Sequence, residues 1–400
     1  MEISEKLKIL YVLPSVSRKF TGVYEVSKSL SLELHKYGID LEVHSFIDEF
    51  TDDDLFNWLP IEPKVYSAIG LQKFCYKSAY LNGLIKSESN VGHIHSLWSY
   101  TTIALYKWAK NKNKPYLFTS NAYLFESALK ISKFKKKLAR IFIFDKIIHN
   151  SECIQVNTIN EYQRIRKLGF KNPICIIPNG VNLPDLNEKI IAPWNQIKET
   201  NNKKILLYLS RIHPQKGIDM LVDAWKDLMG SNEIQDWQLV IVGFDFKNAE
   251  FEKDIINFVK YNNLSSGITL LQGQYGRSMD ACYLNCDAFI LPSYNEGSSI
   301  AALNAMAFSK PSIITAGCNI PNSFSSKSAI EIQANKESIT TGILNLLHMS
   351  NDDRVLLGKN GRKLVEENFS WKFISKQIID IYKWIQNRKK TEPPITVILD

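Results

Sequence analysis

The chain alternates short apolar runs with stretches of helical period, and it does so in two separate cycles. The run LKILYVLP opens the first cycle, followed by TGVYEVSKSLSLELHKYG, whose apolar positions recur at helical spacing up to Gly38, and then by IDLEVHSF. After a longer connection come VGHIHSLW, the helical stretch SYTTIALYKWAKNKN, PYLFTSN, SECIQVN and PICIIPNG. Residues 181–204 carry Pro184, Pro193 and polar residues without strong periodicity and read as a linker. The pattern then restarts with KILLYLSR, GIDMLVDAWKDLM, WQLVIVGF, EFEKDIINFVKYNN, ITLLQG, DACYLNC, DAFILPS, a further helix and PSIIT.

Strands alternating with helices predict an α/β fold of mainly parallel, doubly wound sheets. Four hundred residues suffice for two domains that each bury a core. The expected division is 1–180, the linker 181–204, 205–368, and a final helix near 369–388 followed by a tail at 389–400. Open parallel sheets bind ligands beyond the carboxyl ends of their strands, so the site is expected in the cleft between the two domains.

Composition changes little: 45% apolar and 22% charged residues are ordinary for a globular protein. No apolar run approaches the roughly 18 residues that span a bilayer. The run Ile9–Leu13 before Pro14 is too short for a signal-peptide core, so a cytoplasmic protein is expected. The six cysteines are scattered, and even Cys282 and Cys286 lack nearby histidine or sulfur partners for a metal. Buried, reduced thiols are expected.

Charge is more informative. A net +8 leaves nucleic acid, a membrane surface or an acidic small molecule open. LKISKFKKKLARIFIFDKIIH gathers Lys130, Lys133, Lys135, Lys136, Lys137, Arg140 and Lys146, with Phe134, Leu138, Ile141 and Ile148 at helical spacing. This predicts a basic amphipathic helix at 130–146. It can be plain surface packed on its own domain, or it can attract anionic headgroups or a phosphorylated acceptor.

The chemistry concentrates at strand ends. The turn PSVSRKFTGVYE lacks the G-x-G-x-x-G of a dinucleotide site, although Gly22 before a helix allows a ligand near backbone N–H groups. In LSRIHPQKG, Arg211 and Lys216 lie five apart in a loop that Gly217 closes. A planar fork and a point charge at a helix start suit a diphosphate, and two solvated surface cations are the plain alternative. His213 between them reads as a loop residue. Glu296 ends a strand, and Gly297, Ser298, Ser299 and Ile300 present amides at the next helix start. A carboxylate there can accept from sugar hydroxyls while the amides hold phosphate or sugar oxygens. No Asp-x-Asp or histidine cluster suggests a metal.

SRIHPQKGIDMLVDAW, PSYNEGSSIAALNAMAFSKPSIIT, IIPNGVNLP and ENFSWKFISKQIIDIYKWI resemble, in order, segments of the retaining glycosyltransferases of family 4. The similarity runs from Lys8 to about Trp384. VGHIHSLWSYTTIALYKWAK and TAGCNIP further resemble members that build bacterial polysaccharides on lipid carriers. The resemblance implies the GT-B fold, two Rossmann-like domains facing across a cleft, with the last helix crossing back to the first. It implies a nucleotide-sugar donor on the second domain, a lipid-linked glycan acceptor on the first, and neither a metal, another cofactor nor nucleic acid. Carried over, Arg211 and Lys216 match the cations on the donor diphosphate, and Glu296 the first glutamate of E-x7-E near the donor sugar. Gly297, Ser298, Ser299 and Ile300 match the loop amides, and Gly22 the second glycine of the N-terminal loop. Three positions depart from the pattern. Asn304 replaces the second glutamate on the ribose, Asn121-Ala122 replaces a His-Gly pair, and Thr21 replaces the first loop glycine. The reading is a retaining transferase on the inner face of the membrane. A non-catalytic GT-B partner or glycan-binding protein is the rival, and a sugar-nucleotide epimerase a third reading.

Overall fold

The computed structural model describes residues 6–67, 78–121, 123–124, 138–231, 233–244 and 250–399. The chain divides into two units, one of Met1–Gly180 with Trp371–Asp400 and one of Val181–Ser370. In the first unit, β1 (Lys8–Ser15), β2 (Asp40–Phe46), β3 (Lys64–Tyr66), β4 (Val91–Ile94), β5 (Tyr116–Thr119), β6 (Cys153–Val156) and β7 (Ile174–Ile176) run parallel. Their order is β3-β2-β1-β4-β5-β6-β7. In the second, β8 (Lys204–Leu209), β9 (Trp237–Phe244), β10 (Ile268–Gln272), β11 (Ala288–Leu291), β12 (Ser312–Thr315) and β13 (Ile330–Ile332) form a parallel sheet of order β10-β9-β8-β11-β12-β13.

Central strands here are buried on both faces and mostly apolar rather than alternating, because helices cover both faces of a parallel sheet. All four residues of β11 are buried completely, for example. The helices used below are α1 (Thr21–Lys36), α2 (Tyr100–Lys112), α3 (Ile218–Gly230), α4 (Arg277–Asn285), α5 (Ile300–Ala307) and α6 (Trp371–Gln386). Strand order reverses between β1 and β4 in one sheet and between β8 and β11 in the other. At such a reversal, successive connections leave toward opposite faces and open a crevice at the strand ends.

The last helix, α6, belongs to the first unit and buries Trp371, Ile374, Ile378, Ile381, Tyr382 and Ile385 in its core. A polar relay ties it to the sheet. Gln155 Nε2 donates to Ile177 O (3.1 Å), so Gln155 Oε1 accepts from Thr119 Oγ1 (2.8 Å). Thr119 then accepts from His93 Nε2 (2.6 Å), which leaves His93 Nδ1 to accept from the Tyr382 hydroxyl (2.7 Å), 3.1 Å from that of Tyr11. One tautomer of His93 satisfies the whole chain. His95, its ring 3.8 Å from that of His93, has both nitrogens buried with no partner among the described residues. Burial holds both imidazoles neutral, pushing His95 down to about 3 and His93 well below its ordinary value.

Sequence pattern and structure differ in three places. The segment 181–204 packs against the second unit: Ala192 and Trp194 join its core, and Arg362 donates to Pro184 O (3.3 Å). Its contacts are aperiodic, which is why no period marks it. The tail supplies β14 (Val397–Ile398), antiparallel to β7 at the sheet edge. Of the predicted basic helix 130–146, residues 125–137, with Lys130, Lys133, Phe134, Lys135, Lys136 and Lys137, lie outside the described residues. The described part contains a π-turn at Arg140–Phe144 before helical Asp145–His149. Hydrogen bonds of i→i+5 spacing widen the turn and shift the helical phase, so the apolar positions do not share one face. Ile148 is buried, whereas Leu138, Ile141, Phe142 and Ile143 are exposed. Cys153, Cys175, Cys282, Cys286 and Cys318 are buried free thiols, and Cys75 lies outside the described residues.

Candidate functional site

The second unit brings Arg211, Lys216 and Glu296 to the reversal point of its sheet. Arg211 and Lys216 follow β8, and Glu296 follows β11. His213 caps the intervening 3-10 turn Pro214–Lys216 by accepting from the Gln215 N–H (3.2 Å), a structural role consistent with its loop reading. The two loops touch at Gly217. It has φ +67°, and a Cβ there would lie 2.2 Å from Pro292 O. Only glycine permits both that conformation and that approach.

Lys216 Nζ pairs with Glu296 Oε1, and both side chains are only 13% exposed. Ser293 Oγ lies 2.8 Å from the same carboxylate oxygen and 3.1 Å from Gln215 O. Arg211 is exposed and makes no ion pair among the described residues. Tyr208, buried at the end of β8, has its hydroxyl pKa raised well above the ordinary value, first by burial and then by the negative charge of Glu296. The phenol therefore lies in the field of the Glu296 carboxylate.

Gly297, Ser298 and Ser299 lead into α5, which starts at Ile300. Ser299 caps it, its hydroxyl facing the Ala302 N–H at 3.5 Å. A Cβ at Gly297 would meet nothing within 4 Å, and Ser298 Oγ is buried without a partner among the described residues. The free amides of a helix start favour anions by geometry and by dipole. The turn after β12 holds this loop from behind. Glu296 N donates to Gly317 O (2.8 Å), Ser299 N donates to Cys318 O (3.1 Å), and Asn319 Nδ2 donates to Glu296 O. A Cβ on Gly317 would stand 2.5 Å from Tyr294 O, so the two turns need glycine to approach this closely.

Asn304 lies on α5, partly buried, near the Tyr283 hydroxyl of α4. Tyr283 in turn donates to Ala301 O (3.2 Å). Gly22 and Asn121 belong to the first unit; Gly22 is the second residue of α1 rather than a residue before the helix, and Asn121 lies just past β5. A Cβ on Gly22 would meet nothing within 4 Å. Asn121 has φ +43° and donates from Nδ2 to His95 O (3.0 Å). The β1 turn beside Gly22 is fixed by carboxylates: Ser17 Oγ donates to Asp48 (2.7 Å), and Arg18 grips Asp54 through Nε (2.9 Å) and Nη2 (2.7 Å).

Sequence reading did not single out Ser293, Gly317 or Asn319. A faint signal existed for Asn319: asparagine just past a strand is among the few residues that tolerate left-handed φ, here +51°.

Comparison with known proteins bears on the family and the fold. Residues 193–364, inside the second unit, match the family model described as glycosyl transferases group 1. The chain is 27% identical to an uncharacterized glycosyltransferase of Methanocaldococcus jannaschii, over 83% of this chain and 87% of that protein. It is 28% identical to the Escherichia coli UDP-Gal:alpha-D-GlcNAc-diphosphoundecaprenol alpha-1,3-galactosyltransferase, over 52% of this chain and 54% of that protein. Among solved structures, Anabaena HepE in complex with UDP and glucose superimposes with a TM-score of 0.71 at 14% identity, over 94% of this chain and 99% of that chain. The resemblance to the group 1 glycosyltransferases and the expectation of two Rossmann-like α/β units are borne out.

Proposed function

We propose that this chain, whose second unit carries the group 1 glycosyltransferase domain, moves a hexose from a nucleoside diphosphate to a lipid-linked or polysaccharide acceptor with retention at the anomeric carbon. The supporting observation is the convergence of Arg211, Lys216 and Glu296 beside the start of α5. Arg211 and Lys216 stabilise negative charge growing on the leaving diphosphate, a task that metal ions perform in other transferases. Glu296 and the amides of Gly297, Ser298 and Ile300 orient the sugar, the Ser299 N–H being held by Cys318 O. The acceptor hydroxyl attacks the anomeric carbon on the face the diphosphate leaves, and its proton passes to the departing phosphate oxygen. No enzyme nucleophile is required. A lipid-linked acceptor fits the E. coli relative, whose name specifies a diphosphoundecaprenol substrate, and a nucleotide-sugar donor fits the UDP complex of HepE.

The test is a screen of nucleotide sugars for acceptor-dependent release of nucleoside diphosphate, using lipid-linked saccharides as acceptors. Turnover of one donor is expected. A protein that binds glycan yet neither binds nor consumes any nucleotide sugar is the non-catalytic partner instead. Asn304, a carboxamide at the position where the resemblance places a ribose-binding glutamate, is the observation that favours this second reading.

Asn304→Glu separates the two. In a working donor site the carboxylate gains ribose hydroxyls as donors and tightens nucleotide-sugar binding, about tenfold for a gain near 1.4 kcal/mol. Stability should hold, since Asn304 is only partly buried. A sharply lowered melting temperature without tighter binding speaks for a site rebuilt around the carboxamide.

Peripheral attachment to the inner membrane face is part of the proposal. No helix among the described residues is long and apolar enough to cross a membrane. Ile141 and Phe142 are 59% and 74% exposed, directly after the lysine-rich stretch. Apolar side chains beside cations suit the interface of anionic lipid. Phe142→Asp, or charge reversal of Lys135, Lys136 and Lys137, should weaken binding to phosphatidylglycerol vesicles, as should salt. Vesicle binding that ignores all three leaves this stretch as ordinary surface.

A further inference from the structure

In the second unit the two groups assigned to opposite ends of the donor are bound to each other. Lys216, read as a diphosphate ligand, has its ammonium on the carboxylate of Glu296, read as a sugar ligand. Both are largely shielded, whereas Arg211 is exposed. Glu296 is held in this position from three sides. Its carboxylate faces Ser293 Oγ (2.8 Å), its N–H donates to Gly317 O (2.8 Å), and its carbonyl accepts from Asn319 Nδ2. The backbone is fixed by the turn after β12, so the ammonium is the partner that is free to leave.

We infer that the Lys216–Glu296 pair is a resting contact which the donor exchanges for itself, with Ser293 and Asn319 as positioning residues that keep Glu296 in place for the sugar. This rests on the donor-site reading above. Arg211, exposed and without an ion pair among the described residues, meets the diphosphate first. Lys216 then turns from the carboxylate to a phosphate oxygen, which puts two anions close together. A nucleotide sugar resolves that conflict, because its hydroxyls donate to the carboxylate Lys216 has left. A nucleoside diphosphate without a sugar takes the ammonium and gives Glu296 no donor in return. The ion pair therefore discriminates against the product of the reaction. After transfer, Lys216 returns to Glu296 and helps expel the nucleoside diphosphate.

Calorimetry on the full-length protein tests this, with UDP, GDP and ADP and the glucose conjugate of each as probes. The pair the native protein binds is then titrated into Glu296→Gln. The amide keeps the shape of the side chain but neither holds Lys216 nor repels phosphate. Glu296→Gln should bind the nucleoside diphosphate about three- to tenfold more tightly, while its affinity for the nucleotide sugar stays level or falls. Added salt should shrink the gain. Ser293→Ala and Asn319→Ala should move the same ratio in the same direction by a smaller factor, with melting temperature recorded for each variant. A merely structural role would lower both affinities together and leave the ratio alone. Native protein that binds no nucleotide overturns the donor-site reading and this inference with it. Native protein that binds, with the nucleoside diphosphate held equally or less tightly by Glu296→Gln, overturns the inference alone.

Discussion

Arg211→Ala and Lys216→Ala should each lower kcat severely while the melting profile stays close to native. Each removes one cation from the diphosphate in the transition state, an effect of about 2–4 kcal/mol for one preorganised group, or roughly 30- to 1,000-fold in rate. The fold should tolerate both. Arg211 is exposed and unpaired among the described residues, and on loss of Lys216 the Glu296 carboxylate keeps its contact with Ser293 Oγ (2.8 Å). The two losses should be less than additive, because both cations serve one leaving group. Steady-state kinetics beside a melting curve decide the matter. Near-native turnover in both variants would sink the assignment of a diphosphate to this loop.

Acid should destabilise the first unit well before its carboxylates take up protons. His93 and His95 are held neutral by burial, whereas in the unfolded chain each becomes protonated below about pH 6.5. Their folded pKa values lie below the unfolded one. Stability is thus complete above about pH 6.5 and falls as pH drops toward the folded value, about 3 for His95. Each histidine costs about 1.4 kcal/mol per pH unit in that window, so the pair costs on the order of 5 kcal/mol between pH 6.5 and 4.5. His95→Phe isolates half of this effect. Its ring nitrogens have no partner among the described residues, so the variant should be neutral or stabilising at pH 7. It should also halve the slope of stability against pH below 6.5. A slope unchanged from native would show that these buried imidazoles do not govern acid stability.

The parallel sheets were legible because their strands are apolar runs between helices, as in AFIL of β11 and KILLYL of β8. The positions of Arg211, Lys216 and Glu296 past strand ends were legible because apolar runs precede them, KILLYL before the first two and AFIL before the third. What the sequence did not show depends on contacts between distant residues. Ser293 and Asn319 matter because the turns after β11 and β12 lie side by side, and nothing local in SYNEG or AGCNI reports that neighbour. The relay from Tyr382 to Gln155 joins residues up to 289 apart in one hydrogen bond. Asn304 was expected at a ribose, and its neighbour Tyr283 sits on a different helix. The stretch 130–146 misled for a different reason. A helical period was read through it, but the π-turn at Arg140–Phe144 breaks the phase and turns Ile141 outward while Ile148 stays inside.

The central claim is that the cations following β8 hold a diphosphate at the reversal point of the second sheet. Equilibrium binding of the nucleoside diphosphate to native protein and to the Arg211→Ala/Lys216→Ala double variant tests it most directly, since neither acceptor nor turnover is needed. The Kd should weaken by at least about tenfold in the variant, and the salt dependence seen with native protein should flatten. Equal Kd values with equal salt dependence would contradict the claim.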